Sequence, residues 1–146
     1  MSEFSRTAVE DLALAALQVR IGDAVKTLKT YQGNWQEDVR RESWRLPAVL
    51  LELTESRAEQ VGLSSYDLTL ELSVLVIVRA LRGEAEARRE EGGVYDILAG
   101  IRQALWHQDL GVNMLPLALV TEEPLLSSQE YVVYAVHFRT AAVQDF

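Results

Sequence analysis

The side chains that most often carry enzyme chemistry are few in this sequence and lie far apart. It contains no cysteine, which excludes disulfides, thiolate zinc sites and cysteine nucleophiles and fits a reducing compartment. Its two histidines are His107, late in a predicted helix, and His137, on the polar face of a predicted strand. The motifs GxxxxGK, GxGxxG, HExxH and GxSxG do not occur. We therefore expect a protein that is not an enzyme and holds no cofactor or metal.

One enzymatic alternative is a nuclease domain related to metal-dependent restriction enzymes. Such nucleases have an acidic residue followed by Glu-x-Lys on a central strand, where carboxylates hold Mg²⁺ and the lysine polarises the phosphate. Glu52 in LLELTE is the nearest candidate. Thr54 stands where the lysine is needed, and no aspartate precedes Glu52 on a neighbouring strand end. The motif is broken at its most diagnostic position.

The length and the net charge of the chain limit the range of functions that remain possible. A chain of 146 residues is expected to form a single domain over residues 1–146. Its formal net charge is −8, and its lysines and arginines are scattered among acids. A duplex-binding surface needs a basic face, so specific DNA binding is not expected. No apolar run approaches the ~20 residues of a membrane helix, and the acidic N-terminus does not resemble a signal peptide, so we expect a soluble, intracellular protein.

The hydrophobic pattern predicts two helices and five strands. In the clearest strand, Tyr66–Arg79, every even position is apolar, and its length suggests that it projects beyond its own domain. Gln32–Trp44 is predicted to be a loop, and PLLSSQ a turn. Too few helices are predicted to cover both faces of a sheet. We therefore expect an α+β fold in the order α-β-β-β-α-β-β, one mixed or antiparallel sheet with two helices packed on one face. The predicted helices are Ser5–Ile21 and Val94–Gln108, and the other strands are Val25–Tyr31, Leu46–Glu55, Met114–Glu123 and Glu130–Ala141.

A charged connector, RGEAEARREEGG (residues 82–93), joins the longest strand to the second helix. Glu84 with Arg88, and Arg82 with Glu86, are i,i+4 pairs that stabilise a short solvated helix. The same charges could instead be matched by a partner. Tryptophan in a polar loop likewise packs either on the protein's own core edge or on a partner, where Trp and Arg are enriched. The partner-interface candidates are Arg79, Arg82, Glu84, Arg88, Arg89, Trp35 and Trp44.

Three stretches together resemble the Mu-type contractile phage tail proteins. They are RLPAVLLEL, the long strand with its tail YDLTLELSVLVIVRALRGEAEAR, and GGVYDILAGIRQAL followed by QDLG. The resemblance covers about residues 5–140 and is most specific in Arg82–Arg89 and Tyr95–Leu98. This family is usually taken to be the tail terminator, or tail completion protein.

The resemblance implies a virion structural protein, assembled in the bacterial cytoplasm, that caps the head-proximal end of the tail tube. The implied partners are other copies of the chain in a ring, typically a hexamer, and the tail tube protein, with sheath and neck proteins as further candidates. DNA would pass through without specific binding. A ring needs head-to-tail contacts, and we expect the overlong strand to add an edge to a neighbour's sheet. A neck or baseplate component of the same particle is the alternative.

Overall fold

The computed structural model of the protein describes residues 5–145 and shows an α+β fold, as predicted. Within that range a five-stranded sheet has the strand order β1-β2-β3-β5-β4. β1 is parallel to β2 and all other neighbours are antiparallel, so the sheet is mixed. The elements in chain order are α1 Arg6–Ile21, β1 Thr27–Thr30, α2 Trp35–Arg40, β2 Ala48–Gln60, β3 Ser65–Arg79, α3 Glu84–Arg89, α4 Val94–Leu105, β4 Ala118–Ser127 and β5 Tyr131–Asp145.

The longest strand lies at the centre of the sheet. β3 pairs with β5 over its whole length, from Ser65 opposite Asp145 to Arg79 opposite Tyr131. On its other side it pairs with β2 from Tyr66 to Ile77. The expectation that this strand adds an edge to a neighbour's sheet is therefore wrong, because both its edges are used within the subunit. The sheet ends instead at β1 and β4.

The two long helices pack on one face of the sheet, as predicted. Val9, Ala13 and Leu17 of α1 are buried, as is the apolar stripe of α4, which consists of Val94, Ile97, Leu98, Ile101 and Leu105. Leu12 of α1 is apolar and yet 38% exposed, because the buried positions of α1 follow one another at intervals of four residues and leave Leu12 beside the stripe. The Ser5 hydroxyl accepts a hydrogen bond from the Ala8 amide (3.2 Å) and caps α1.

The opposite face of the sheet carries a second, smaller core that the sequence did not predict. The predicted loop over residues 32–44 contains α2, whose N-cap Asn34 accepts a hydrogen bond from the Glu37 amide (3.3 Å). Val39 of α2 and Trp44 pack against Leu50 and Ile77. The helix was missed because it has fewer than two turns, too few for a periodic pattern to be visible.

Several strand boundaries differ from those predicted, and β2, β4 and β5 all continue beyond their predicted ends because pairing with a neighbouring strand outweighs local composition. β2 continues through polar residues to Gln60, since these pair with β3 as far as Tyr66. β4 begins at Ala118 and continues to Ser127 through the predicted turn, where Pro124 is tolerated because β4 is an edge strand. The turn itself comes later, where the Ser128 hydroxyl accepts hydrogen bonds from the Glu130 and Tyr131 amides.

Candidate assembly surface

The charged connector folds back onto its own subunit. Ala87 of α3 is 3% exposed and belongs to the core beneath the long helices. The predicted pair between Arg88 and Glu84 is formed at 3.0 Å, and Glu84 also accepts a hydrogen bond from the Ser127 hydroxyl (3.3 Å). The expected pair between Arg82 and Glu86 is not among the ion pairs of the described residues. The connector therefore lies along the domain and does not project from it.

Arg88 is occupied within the subunit. Its side chain is 28% exposed and lies beside Tyr134, whose ring meets that of Tyr95 edge to face at 6.2 Å. Burial, and then the hydrogen bond with Tyr95, raise the pKa of Tyr134, while the positive charge of Arg88 acts in the opposite direction. Arg88 thus supports the packing of α3 and has little surface left for a partner.

Other side chains of the connector do face outward. Arg82 and Arg89 are exposed, and Leu81 between strand and helix is 84% exposed. Gly83 turns the chain here with a φ of +102°, a conformation that other residues rarely adopt. Of the connector's candidate interface residues, Arg82 and Arg89 are therefore the two most available to a neighbouring molecule.

Arg79, Trp35 and Trp44 lie on the other face of the sheet, apart from the connector. The Arg79 guanidinium is 3.6 Å from the Glu42 carboxylate and lies over the Tyr131 ring, 5.3 Å from its centroid. Trp44 is 9% exposed and Trp35 is half-buried, and both pack in the smaller core. Of the two interpretations of these tryptophans, packing on the subunit's own core accounts for Trp44. The seven candidates thus form two separate groups.

Tyr31 fixes the smaller core to α2. Its ring meets Trp44 edge to face, with 5.0 Å between centroids, and its hydroxyl donates a hydrogen bond to the Asp38 carboxylate. Burial, and then this hydrogen bond, raise the pKa of Tyr31 to about 12. The protonated hydroxyl is the donor, so the phenol remains neutral over the physiological range.

A serine, a histidine and a glutamate meet on three neighbouring strands, an arrangement that sequence analysis missed. The Ser73 hydroxyl is 2.6 Å from His137 Nδ1, and His137 Nε2 is 3.1 Å from Glu123 Oε1. This is the order of nucleophile, base and acid in hydrolases. Ser73 is only 7% exposed, however, and lies in a central strand whose backbone is paired on both sides, so no amide beside it is free to stabilise an oxyanion. No local sequence signal joins these residues, because only the strand register brings them together.

Glu52, the nuclease candidate, pairs in register with Ser73 and not with a lysine. Burial raises its pKa. Among residues 5–145, no group of three or more His, Asp or Glu side chains is placed to hold a metal ion. The described geometry therefore gives Glu52 no carboxylate partners for Mg²⁺ and does not favour the nuclease alternative.

A shallow groove of about 470 Å³ lies on the sheet face that carries the smaller core, at the end of the sheet away from that core. Its charges are largely matched within the subunit: Arg139 binds Glu71 at 2.7 Å, and Arg57 binds Glu55. Glu59 also lines the groove and has no cation among the described ion pairs. An acid of this kind repels a phosphate backbone, so the groove does not suit nucleic acid.

Comparison with known proteins decides the family. Residues 6–143 match the model of the family described as Bacteriophage Mu, Gp37. The chain belongs to this family. The resemblance to a Mu-type phage protein is thereby confirmed, and membership is consistent with a structural component of the virion.

The other comparisons add little to this Gp37-family assignment. No curated protein matches the chain. Among solved structures, the core region of PilO from the type IV pilus system of Pseudomonas aeruginosa is 13% identical, with 79% of this chain and 97% of that chain covered. Its TM-score of 0.26 is too low to support an argument from shared structure. Within the described part of the Gp37-family chain, no helix has the length and apolar character needed to cross a membrane.

Proposed function

We propose that this Gp37-family protein is a tail terminator of a contractile phage tail or a related particle. Copies of the chain form a ring, typically a hexamer, on the head-proximal end of the tail tube. The ring stops tube polymerisation and presents a surface for the neck, with the sheath as a further neighbour. The family match over residues 6–143 carries the proposal.

Two physical features support a role in assembly. The sheet ends in two different edge strands, β1 and β4, so each subunit offers two distinct surfaces, and head-to-tail contacts in a ring use two distinct surfaces. The net charge of −8 suits a particle through which DNA slides, because an acidic lining repels phosphates and prevents sticking. Neither feature requires a catalytic group.

Tube length in the presence of the protein tests this function. The tail tube protein is polymerised alone, with this chain, and with an equal concentration of an unrelated acidic protein, and the lengths are measured by electron microscopy. We expect the tubes to be shorter only in the mixture that contains this chain, and each of those tubes should carry extra density at one end. Unchanged lengths and bare ends would contradict the terminator role.

Imaging of intact particles separates the terminator from a neck or baseplate component. A labelled copy of the chain should be found at the junction of tail tube and neck. Label confined to the distal end would assign the protein to the baseplate. Cleavage of supercoiled plasmid with Mg²⁺ or Mn²⁺ tests the nuclease alternative, and we expect none.

A further inference from the structure

The two edge strands of the sheet differ in charge. At one edge, Lys26 and Lys29 are exposed, and the described residues place no carboxylate within ion-pair distance of either. At the other edge, β4 contains Glu122 and Glu123 and no lysine or arginine. Glu122 is bound by Arg102 at 2.7 Å, whereas the Glu123 side chain is 48% exposed and has His137 as its one ion-pair partner among the described residues. The exposed charges at the two edges are therefore complementary.

We propose that the β1 edge of one copy packs against the β4 edge of the next, with Lys29 facing Glu123 of that next copy. This contact rests on the proposed ring, and it assigns the subunit interface to the sheet edges and not to the connector. The occupant of each edge is a second copy of the same chain.

The strand register places the two residues at the same level of the sheet. Lys29 lies opposite Leu50, Leu50 opposite Leu75, Leu75 opposite Ala135, and Ala135 opposite Glu123. Residues directly opposite each other in a sheet project on the same face, so Lys29 and Glu123 project on one face at the two ends of one row. In a ring whose copies are related by rotation about an axis along the strands, with no rise, the ends of this row meet.

The strand directions and the backbone also suit this contact. β1 runs parallel to β2, and the three pairings that lead from β2 through β3 and β5 to β4 are all antiparallel, so β1 and β4 run in opposite directions. Rotation about an axis along the strands keeps these directions, so β4 of the next copy in the ring would lie antiparallel to β1. The Tyr31 amide donates a hydrogen bond to Leu51 of β2, and the Thr27 amide donates one to Pro47, just before β2, so by alternation the backbone groups of Leu28 and Thr30 face outward. Pro124 cannot donate a hydrogen bond, which limits backbone pairing on β4 and leaves more of the specificity to the charges.

Charge exchange tests the proposal on the full chain. Lys29→Glu gives a copy with two negative edges, and Glu123→Lys gives one with two positive edges. Each variant alone should dissociate at least about 10-fold more readily than wild type, since like charges then meet at every contact. An equimolar mixture should recover assembly, because opposite edges meet wherever the two variants alternate. Native mass spectrometry should show equal numbers of both variants in each ring.

Two matched variants control for charge and folding. Arg20→Glu and Asp11→Lys make the same charge changes at exposed positions of α1, outside both edge strands, and should leave assembly unchanged. Circular dichroism checks that every variant is folded. Assembly that is unaffected by either edge variant would overturn the contact, as would a mixture that does not recover or a wild-type chain that stays monomeric at high concentration and low salt. Shortening of tubes by the edge variants would then still support the terminator role, so the two proposals fail separately.

Discussion

The two faces of the sheet differ in the side chains and elements that cover them. On one face α1 and α4 cover a continuous apolar core that includes Leu17, Ile101 and Phe138, all fully buried. On the other face a smaller core around Trp44 gives way to a polar band in which Ser73, His137 and Glu123 are hydrogen-bonded in series. The first face can account for most of the stability of the subunit. The second combines a local core with polar groups that partners can reach.

This difference shows why a search for isolated functional residues is a poor guide here. The candidates chosen for their charge or aromatic character are partly absorbed into packing, as Arg88 and Trp44 show. The residues that we propose to meet a neighbouring copy lie at the sheet edges, where no motif in the local sequence marks them. Position in the sheet, more than residue type, decides which charges remain free.

The largest effect is expected on the helix-covered face. Leu17→Ala removes a fully buried side chain from the main core and should lower the free energy of unfolding by about 3–4 kcal/mol. Leu12→Ala, in the same helix but at a position that is 38% exposed, is the matched control and should cost less than about 1 kcal/mol. Urea unfolding followed by circular dichroism measures both. Equal losses would mean that the core does not lie where the structure places it.

A smaller, pH-dependent effect is expected from the other face. Tyr31 titrates at about 12 when folded, against 10.0 for an ordinary tyrosine. The stability that its protonated hydroxyl provides is complete below pH 10 and is lost as the pH rises towards 12, because the unfolded chain ionises first. Screening at this half-buried site reduces the loss to about 1–2 kcal/mol.

The variant Tyr31→Phe isolates this contribution. It should be less stable than wild type at neutral pH by about 1 kcal/mol, because the hydrogen bond to Asp38 is lost. The difference should narrow between pH 10 and about 12 as wild type loses its advantage. Denaturant titrations at several pH values give both curves, and a constant difference would show that Tyr31 is not the titrating group.

The smallest effect of all is expected on the outward side of the connector, which repeats the contrast between packed and exposed residues over a short segment. Arg88→Glu places like charges beside Glu84 and removes a cation that faces inward, so it should cost about 1–2 kcal/mol. The double variant Arg82→Glu/Arg89→Glu changes only exposed side chains and should stay within about 0.5 kcal/mol of wild type. Thermal unfolding compares the two, and the reverse order would show that the outward side of α3 is the packed one.

The sequence by itself determined the elements with strong local periodicity. α1, α4 and β3 were predicted within a few residues, because their apolar spacing extends over several turns or over a long alternation. The α+β class and the Mu-type family followed from their order and from the motifs around the connector. These properties depend on short-range patterns, which can be recognised in a single sequence before the fold is known.

Only the tertiary structure decided which strands are neighbours and therefore which charges are free. α2 is stable because Val39 finds a sheet face to pack on, and the row from Lys29 to Glu123 exists because four strand pairings have a particular register. Register is set by long-range packing and turn geometry, and a slip of one residue would move every side chain of a strand to the other face. Pairings between residues far apart in the chain, such as Ser65 with Asp145, leave no periodic trace in a single sequence.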